Sequence, residues 1–217
     1  MDLKNRPIWL LPLIAAAVSL IAVFAVLALR DSGGAQTAPG GVRTSGEATI
    51  GGPFELVAHT GETVTEADFL GRPMLIYFGF TYCPDICPMS LQIMGSALER
   101  MDAEDAAVFQ PILISVDPER DTPESLADYV QSPAFPEGLI GLTGTVEQVR
   151  AAADAYRVYY VKVEDQDTVA DYLVDHSSII YLMDANGRFV EVFTHGTDPA
   201  IIAARLERFI EEGGARS

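Results

Sequence analysis

Positive charge is scarce in this chain. Its 217 residues carry 14 Lys and Arg against 31 Asp and Glu, a formal net charge of −17. Nucleic-acid phosphates are gripped by clustered cations, so this deficit argues against a nucleic-acid partner. Cysteine is rarer still: there are two, Cys83 and Cys87, four positions apart. A bridge between them would close a very small loop and restrain the unfolded chain little, so a purely structural disulfide fits poorly. The chain has no C-x-x-C pair and no internal repeat, and no A-x-A cleavage pattern closely follows its apolar N-terminal stretch.

That stretch, Ile8 to Leu29, is 22 residues without a charge, interrupted only by Pro12 and Ser19. As a helix it would reach about 33 Å, enough for a hydrocarbon core of about 30 Å. Lys4 and Arg6 precede it, which keeps residues 1–7 cytoplasmic. A signal peptide has a shorter apolar run and a small-residue cleavage site, so residues 8–29 are expected to be a transmembrane anchor. On either reading the rest of the chain is exported. Residues 30–48 are rich in Gly, Ser, Thr, Pro and Ala and read as a flexible linker. Residues 49–217 are long enough for one domain with a sizeable core.

The run Thr81-Tyr82-Cys83-Pro84-Asp85-Ile86-Cys87-Pro88 follows an apolar strand and precedes a helical stretch. Side chains at i and i+4 on a helix share a face, with Cβ atoms about 5–6 Å apart. A relaxed disulfide wants about 3.5–4.5 Å. Two thiolates, each about 2.3 Å from a metal, can stand up to ~4.5 Å apart. The pair therefore suits a soft metal in its native geometry and closes into a disulfide only with local distortion. A helix N-terminus favours an anion, so thiols here should bind metal or attack a disulfide readily.

From Ile50 onward, strand and helix patterns alternate. Phe54–Val57 and Thr63–Val64 flank a Gly61 turn and read as a hairpin. Met74–Phe80 and Phe109–Val116 read as buried strands, with a helix over Asp85–Met101 between them. Thr122-Pro123 opens a helix as N-cap and first-turn proline. Leu139–Leu142 is a short strand. Thr145 and Gln148 form a capping box for a helix to about Tyr156. Val158–Val163 is a strand. Ser178–Met183 and Phe189–Phe193 flank an Asn186-Gly187 turn, and Asp198-Pro199 caps a last helix ending near Gly213. This order predicts an α/β domain with a mixed central sheet, and its terminal hairpin and helix suit a thioredoxin-like fold.

The chain has three histidines. His176 lies just before the strand Ile179–Leu182, in what reads as a loop entering the sheet. In a thioredoxin-like architecture that loop packs against the active-site turn. His59 and His195 read as surface residues. Two thiolates and one imidazole suit Cu(I), Cu(II) or Zn(II).

Three motifs now align: T-Y-C-P-D-I-C-P, then S-V-D-P-E-R-D-T-P at Ser115–Pro123, then D-Y-L-V-D-H-S at Asp171–Ser177. In this order they resemble the Sco/SenC family of copper chaperones for cytochrome c oxidase, over about Ile50 to Gly213 and the single N-terminal anchor. The resemblance implies a thioredoxin-like fold and one copper ion held by Cys83, Cys87 and His176. It implies delivery to the binuclear copper site of cytochrome c oxidase subunit II, with another periplasmic copper chaperone as a further partner. It also implies a single-pass protein of the bacterial inner membrane with its soluble domain in the periplasm. Where relatives often read D-P-x-G, this chain has Asp184-Ala185-Asn186-Gly187, a change confined to a turn.

Neighbouring residues have ordinary readings beside functional ones. Asp85 either bonds to the ligand set or is simply an acid favoured at a helix start. Asp117 and Asp121 either form an exposed loop near the site or only cap and turn. Asp175 is placed to orient His176. Met89, Met94 and Met101 read as packing, and Tyr159-Tyr160 as strand core. Whether the chain is an enzyme stays open, because the two thiols would also serve a tethered thiol–disulfide oxidoreductase. Such enzymes generally use C-x-x-C and have no need of His176. A peroxidase would need a Thr and Arg arrangement around one reactive Cys, which is not found here.

Overall fold

The computed structural model describes residues 50–164 and 172–215; the expected anchor (8–29) and linker (30–48) lie outside that range. Among the described residues, no helix is long and apolar enough to cross a membrane. The strands are β1 (Glu55–Ala58), β2 (Thr63–Thr65), β3 (Met74–Gly79), β4 (Gln110–Ser115), β5 (Ile140–Thr143), β6 (Tyr160–Glu164), β7 (Tyr172–His176), β8 (Ile179–Met183) and β9 (Phe189–Thr194). The helices are α1 (Ile86–Leu98), α2 (Ala103–Ala106), α3 (Pro123–Tyr129), α4 (Val146–Ala155) and α5 (Pro199–Glu211).

Seven strands form one sheet in the order β2-β1-β5-β4-β3-β8-β9, and β6 with β7 form a separate two-stranded ribbon. β3 runs parallel to β4, and β4 to β5, while β8 is antiparallel to β3. All six residues of β3 are buried, as its unbroken apolar run requires of a strand covered on both faces. Successive side chains of a strand alternate in direction. Phe78 packs on one side with Tyr156 and Tyr181, at centroid distances of 5.4 and 6.0 Å. Tyr77 faces the other side, toward the helix α1 that bears Cys87.

The expected caps are present. Thr122 accepts from the Ser125 N–H, Thr145 and Gln148 cap each other reciprocally, and Asp198 accepts from the Ala200 N–H. Each removes an otherwise orphaned helix donor. The mixed sheet and its terminal β8–β9 hairpin with α5 match the expected α/β plan.

Two expectations fail. His176 is not in a loop; it is the last residue of β7, whose partner β6 pairs Tyr160 with His176. Tyr159 is 62% exposed and Tyr160 half-buried, so this pair is not strand core. The ribbon stands apart from the main sheet, and its outer face meets solvent.

Topology explains where function can gather. β3 and β4 are parallel and in register from Met74↔Gln110 to Gly79↔Ser115, so both leave the sheet at the same end. The antiparallel β8 starts at that end, so Ser177 and Ser178 bring β7 to it as well. The cysteine turn, the Val116–Asp121 loop and His176 therefore converge at the carboxyl end of β3.

Candidate metal centre

Helix α1 begins at Ile86, after Asp85 at the N-cap position. The Asp85 side chain makes no capping bond. Instead the Cys87 N–H donates to Cys83 Sγ at 3.3 Å. A sulfur thus fills the role usually taken by a capping oxygen. Gly79 lets this turn close: a Cβ there would stand 2.7 Å from a Tyr77 ring carbon and 3.0 Å from Cys87 Sγ.

His176 arrives from the ribbon. Its Nε2 lies 3.3 Å from Cys87 Sγ, and its Nδ1 lies 3.2 Å from the Ser177 carbonyl oxygen. A carbonyl only accepts, so Nδ1 carries the proton in that bond and Nε2 turns its lone pair toward the sulfurs. The imidazole is held edge-on by Tyr77 and Phe80, with centroids at 6.0 and 5.8 Å. The ligand atoms of Cys83, Cys87 and His176 all lie within 4.8 Å of one another. Cys87 is buried, while Cys83 and His176 are half-buried.

The two thiols are electrostatically unequal. A hydrogen bond from Cys87 holds the Cys83 thiol down to about 4, helped by the backbone N–H groups of Cys87 and Asp85, against the opposing effect of burial. Cys87 is pushed far up by that same hydrogen bond, then by burial and by the charge on Cys83. At neutral pH the pair keeps one proton, on Cys87, and Cys83 is the half-exposed thiolate.

The neighbouring carboxylates differ from expectation. Asp85 is exposed. Asp175 is exposed too, and strand alternation sends it to the face opposite His176, so the Ser177 carbonyl orients the ring instead. Asp117 and Asp121 do not form an exposed loop; both are fully buried. Asp121 accepts from the Thr81 hydroxyl at 2.5 Å, the Thr81 N–H at 3.1 Å and the Ser115 hydroxyl at 2.6 Å. Burial raises its carboxyl above the ordinary range. Asp117 accepts from the Tyr172 hydroxyl at 2.6 Å and pairs with Arg120.

Met94 and Met101 are packed in the core as expected, but Met89 is 44% exposed. His195 is exposed, whereas His59 is half-buried and its Nδ1 accepts from the Gly141 N–H at 3.1 Å, away from the site. Gly79, Phe80, Arg120 and Tyr172 bear on the site and were not singled out from sequence. Arg120 lies inside the S-V-D-P-E-R-D-T-P run, which was the available signal.

Comparison with known proteins gives a consistent result. The SCO1/SenC family model matches residues 42–211. The human mitochondrial SCO1 homologue is 45% identical over 165 residues, covering 76% of this chain and 54% of that protein. The chain thus spans about half the length of that relative. The crystal structure of Arabidopsis thaliana ScoI with copper bound gives a TM-score of 0.70 at 41% identity, covering 75% of this chain and 99% of that one. The structure of Bradyrhizobium japonicum ScoI with copper bound gives 0.66 at 44% identity, covering 74% and 99%.

Proposed function

The chain belongs to the SCO1/SenC family, and we propose that it is a membrane-anchored copper metallochaperone. On this reading Cys83, Cys87 and His176 hold one copper ion as cargo and pass it to the binuclear copper site of cytochrome c oxidase subunit II. The observation that carries the reading is the meeting of three soft or borderline donors within 4.8 Å, from a turn, a helix and a distant strand. Two thiolates and an imidazole with its Nδ1 already bonded suit copper better than a hard ion. The copper-bound relatives from Arabidopsis and Bradyrhizobium support the same choice of metal. Half-exposure of Cys83 and His176 suits ligand exchange with a partner, and burial of Cys87 suits retention during it. The apolar run at 8–29 supports a membrane tether with the domain exported to the periplasm.

Copper stoichiometry and absorption spectra of the reduced protein, beside its His176→Ala variant, test this. About one copper per chain with a thiolate-to-copper band, lost or much weakened in the variant, is the expected result. A wild-type protein that retains no copper when reduced sinks the reading.

The acidity of Cys83 favours a second reading, a thiol–disulfide reductase acting on the same partner. The Cys83 thiolate would attack a partner disulfide, Cys87 would then displace the partner's thiol, and the chain would leave with a Cys83–Cys87 disulfide. Full thiol exchange in His176→Ala, with negligible copper in the wild type, would favour this over the chaperone.

A further inference from the structure

The ribbon that carries His176 has no strand pairing to the main sheet. The link through Ser177 and Ser178 to β8 ties down only the His176 end of the ribbon, and its far end needs a separate tie. β7 places Tyr172, Val174 and His176 on one face, and Val174 is buried. The opposite end of that face, at Tyr172, is gripped by the Val116–Asp121 loop. The Tyr172 hydroxyl donates to Asp117 Oδ1 at 2.6 Å, and Arg120 Nη1 donates to the Tyr172 carbonyl at 3.0 Å. The Arg120 guanidinium lies 3.7 Å above the Tyr172 ring and 4.8 Å from the Tyr82 ring, and its Nε pairs with Asp117. From β6, Lys162 lies 4.7 Å over the same Tyr172 ring and pairs with Glu119.

The same short loop also grips the cysteine turn. Asp121 takes both the N–H and the hydroxyl of Thr81, two residues before Cys83. The loop itself is anchored in the core by Ser115, which donates to Asp121 and accepts from the Asp117 N–H at 3.0 Å. One segment therefore holds both halves of the site. Phe80 joins them, with its ring 5.8 Å from the His176 ring and 5.9 Å from the Arg120 guanidinium.

We propose that Asp117, Arg120 and Tyr172 form a latch that positions His176 by clamping the β6–β7 ribbon against the cysteine turn. The latch is buried at Asp117 and charge-assisted, so it is strong for its size. It touches none of the three donor atoms, and its residues are positioning residues. Latched, the imidazole is preassembled with the thiols. Released, the ribbon can leave while the two cysteines stay on their turn. This inference rests on Cys83, Cys87 and His176 being the metal site.

The test uses the full chain and the variants Tyr172→Phe and Arg120→Gln, each also made in a His176→Ala background. Tyr172→Phe keeps the ring under Arg120 and removes one hydrogen bond, so it should fold even if Arg120→Gln does not. The first readout needs no metal: amide hydrogen exchange of the apo protein. Exchange in residues 160–164 and 172–176 should quicken about tenfold in Tyr172→Phe, the effect of losing one hydrogen bond to a charged group, with β3 and β4 unchanged. Unchanged ribbon exchange overturns the latch. The second readout is Cu(I) affinity measured by competition with a chromophoric chelator. Tyr172→Phe should weaken it roughly tenfold, as loss of an outer support does, but should have no further effect once His176 is alanine. An equal loss in both backgrounds overturns the proposal, because it shows an effect that does not pass through His176. If wild type binds no copper, the functional reading fails while the exchange readout still decides the latch.

Discussion

Cys87 Sγ and His176 Nε2 lie 3.3 Å apart, although 89 positions separate them in the chain. The contact exists because β3 and β8 are antiparallel neighbours, so the last residues of one and the first of the other lie at the same end of the sheet. It makes the site sensitive to anything that moves either strand end or the ribbon before β8.

The acidity of Cys83 makes a pH prediction. Its thiol is held at about 4, so above that value it is a thiolate. Alkylation of the reduced apo protein by iodoacetamide should fall on Cys83 first, be nearly flat from about pH 6 to 8, and decline below about pH 5. An ordinary thiol near 8.5 would instead gain about tenfold per pH unit over that range. Peptide mapping of the modified protein across pH reads this directly, and a tenfold-per-unit slope between pH 6 and 8 contradicts it.

Gly79→Ala should damage the site from within the core. The added methyl would overlap the Tyr77 ring and press on Cys87 Sγ. Both are wholly buried and have little room to move. We expect a stability loss of about 1–3 kcal/mol by overpacking, and weaker copper binding because Cys87 is displaced. Chemical denaturation and copper titration check the two effects separately. Full affinity with full stability would show that the turn can yield.

Asp121→Ala should leave the Thr81 N–H, the Thr81 hydroxyl and the Ser115 hydroxyl without their acceptor. The expected cost is about 2–4 kcal/mol. Burial raises the folded Asp121 carboxyl above its unfolded value. Such a group contributes its full stability below the unfolded value and loses part of it as pH rises through the folded one. The gap between wild type and Asp121→Ala should therefore be wider at pH 4 than at pH 7. Denaturation midpoints at both values test the sign.

Copper(I) should stabilise the fold by binding the native state alone. At free copper a hundredfold above Kd the gain is about 2.7 kcal/mol. Thermal unfolding should shift upward for wild type, less for His176→Ala, and not at all for Cys83→Ser with Cys87→Ser. A chelator should return wild type to its apo midpoint. An equal shift in the double cysteine variant would place the metal elsewhere.

Local signals in the sequence agree with the structure because their physics is local. Thr122 before Pro123, and Thr145 three residues before Gln148, satisfy donors of their own helix, and both caps are formed. The apolar run over Met74–Gly79 suits a covered strand, and it is one. Cys83 and Cys87 are close because the chain turns tightly from Cys83 through Asp85 into the first turn of α1. β7 leaves little local signal because Tyr172-Leu173-Val174-Asp175-His176 pairs only with β6 and buries one residue of its five. Its alternation is faint, and its last residue lies next to the Ser177-Ser178 link.

By itself, the sequence determined the order of the main-sheet strands and of the helices α1, α3, α4 and α5, the cysteine turn and the supply of soft donors, since each depends on neighbours within a few positions. Only the tertiary structure decided which carboxylates are buried and which support the site. Asp175, next to His176 in sequence, points away, because successive side chains of a strand face opposite sides. Asp117 and Asp121 are buried because remote partners, Tyr172 and Thr81, supply the hydrogen bonds that a buried carboxylate requires. That pairing spans 55 and 40 positions of chain, and no local pattern reports it.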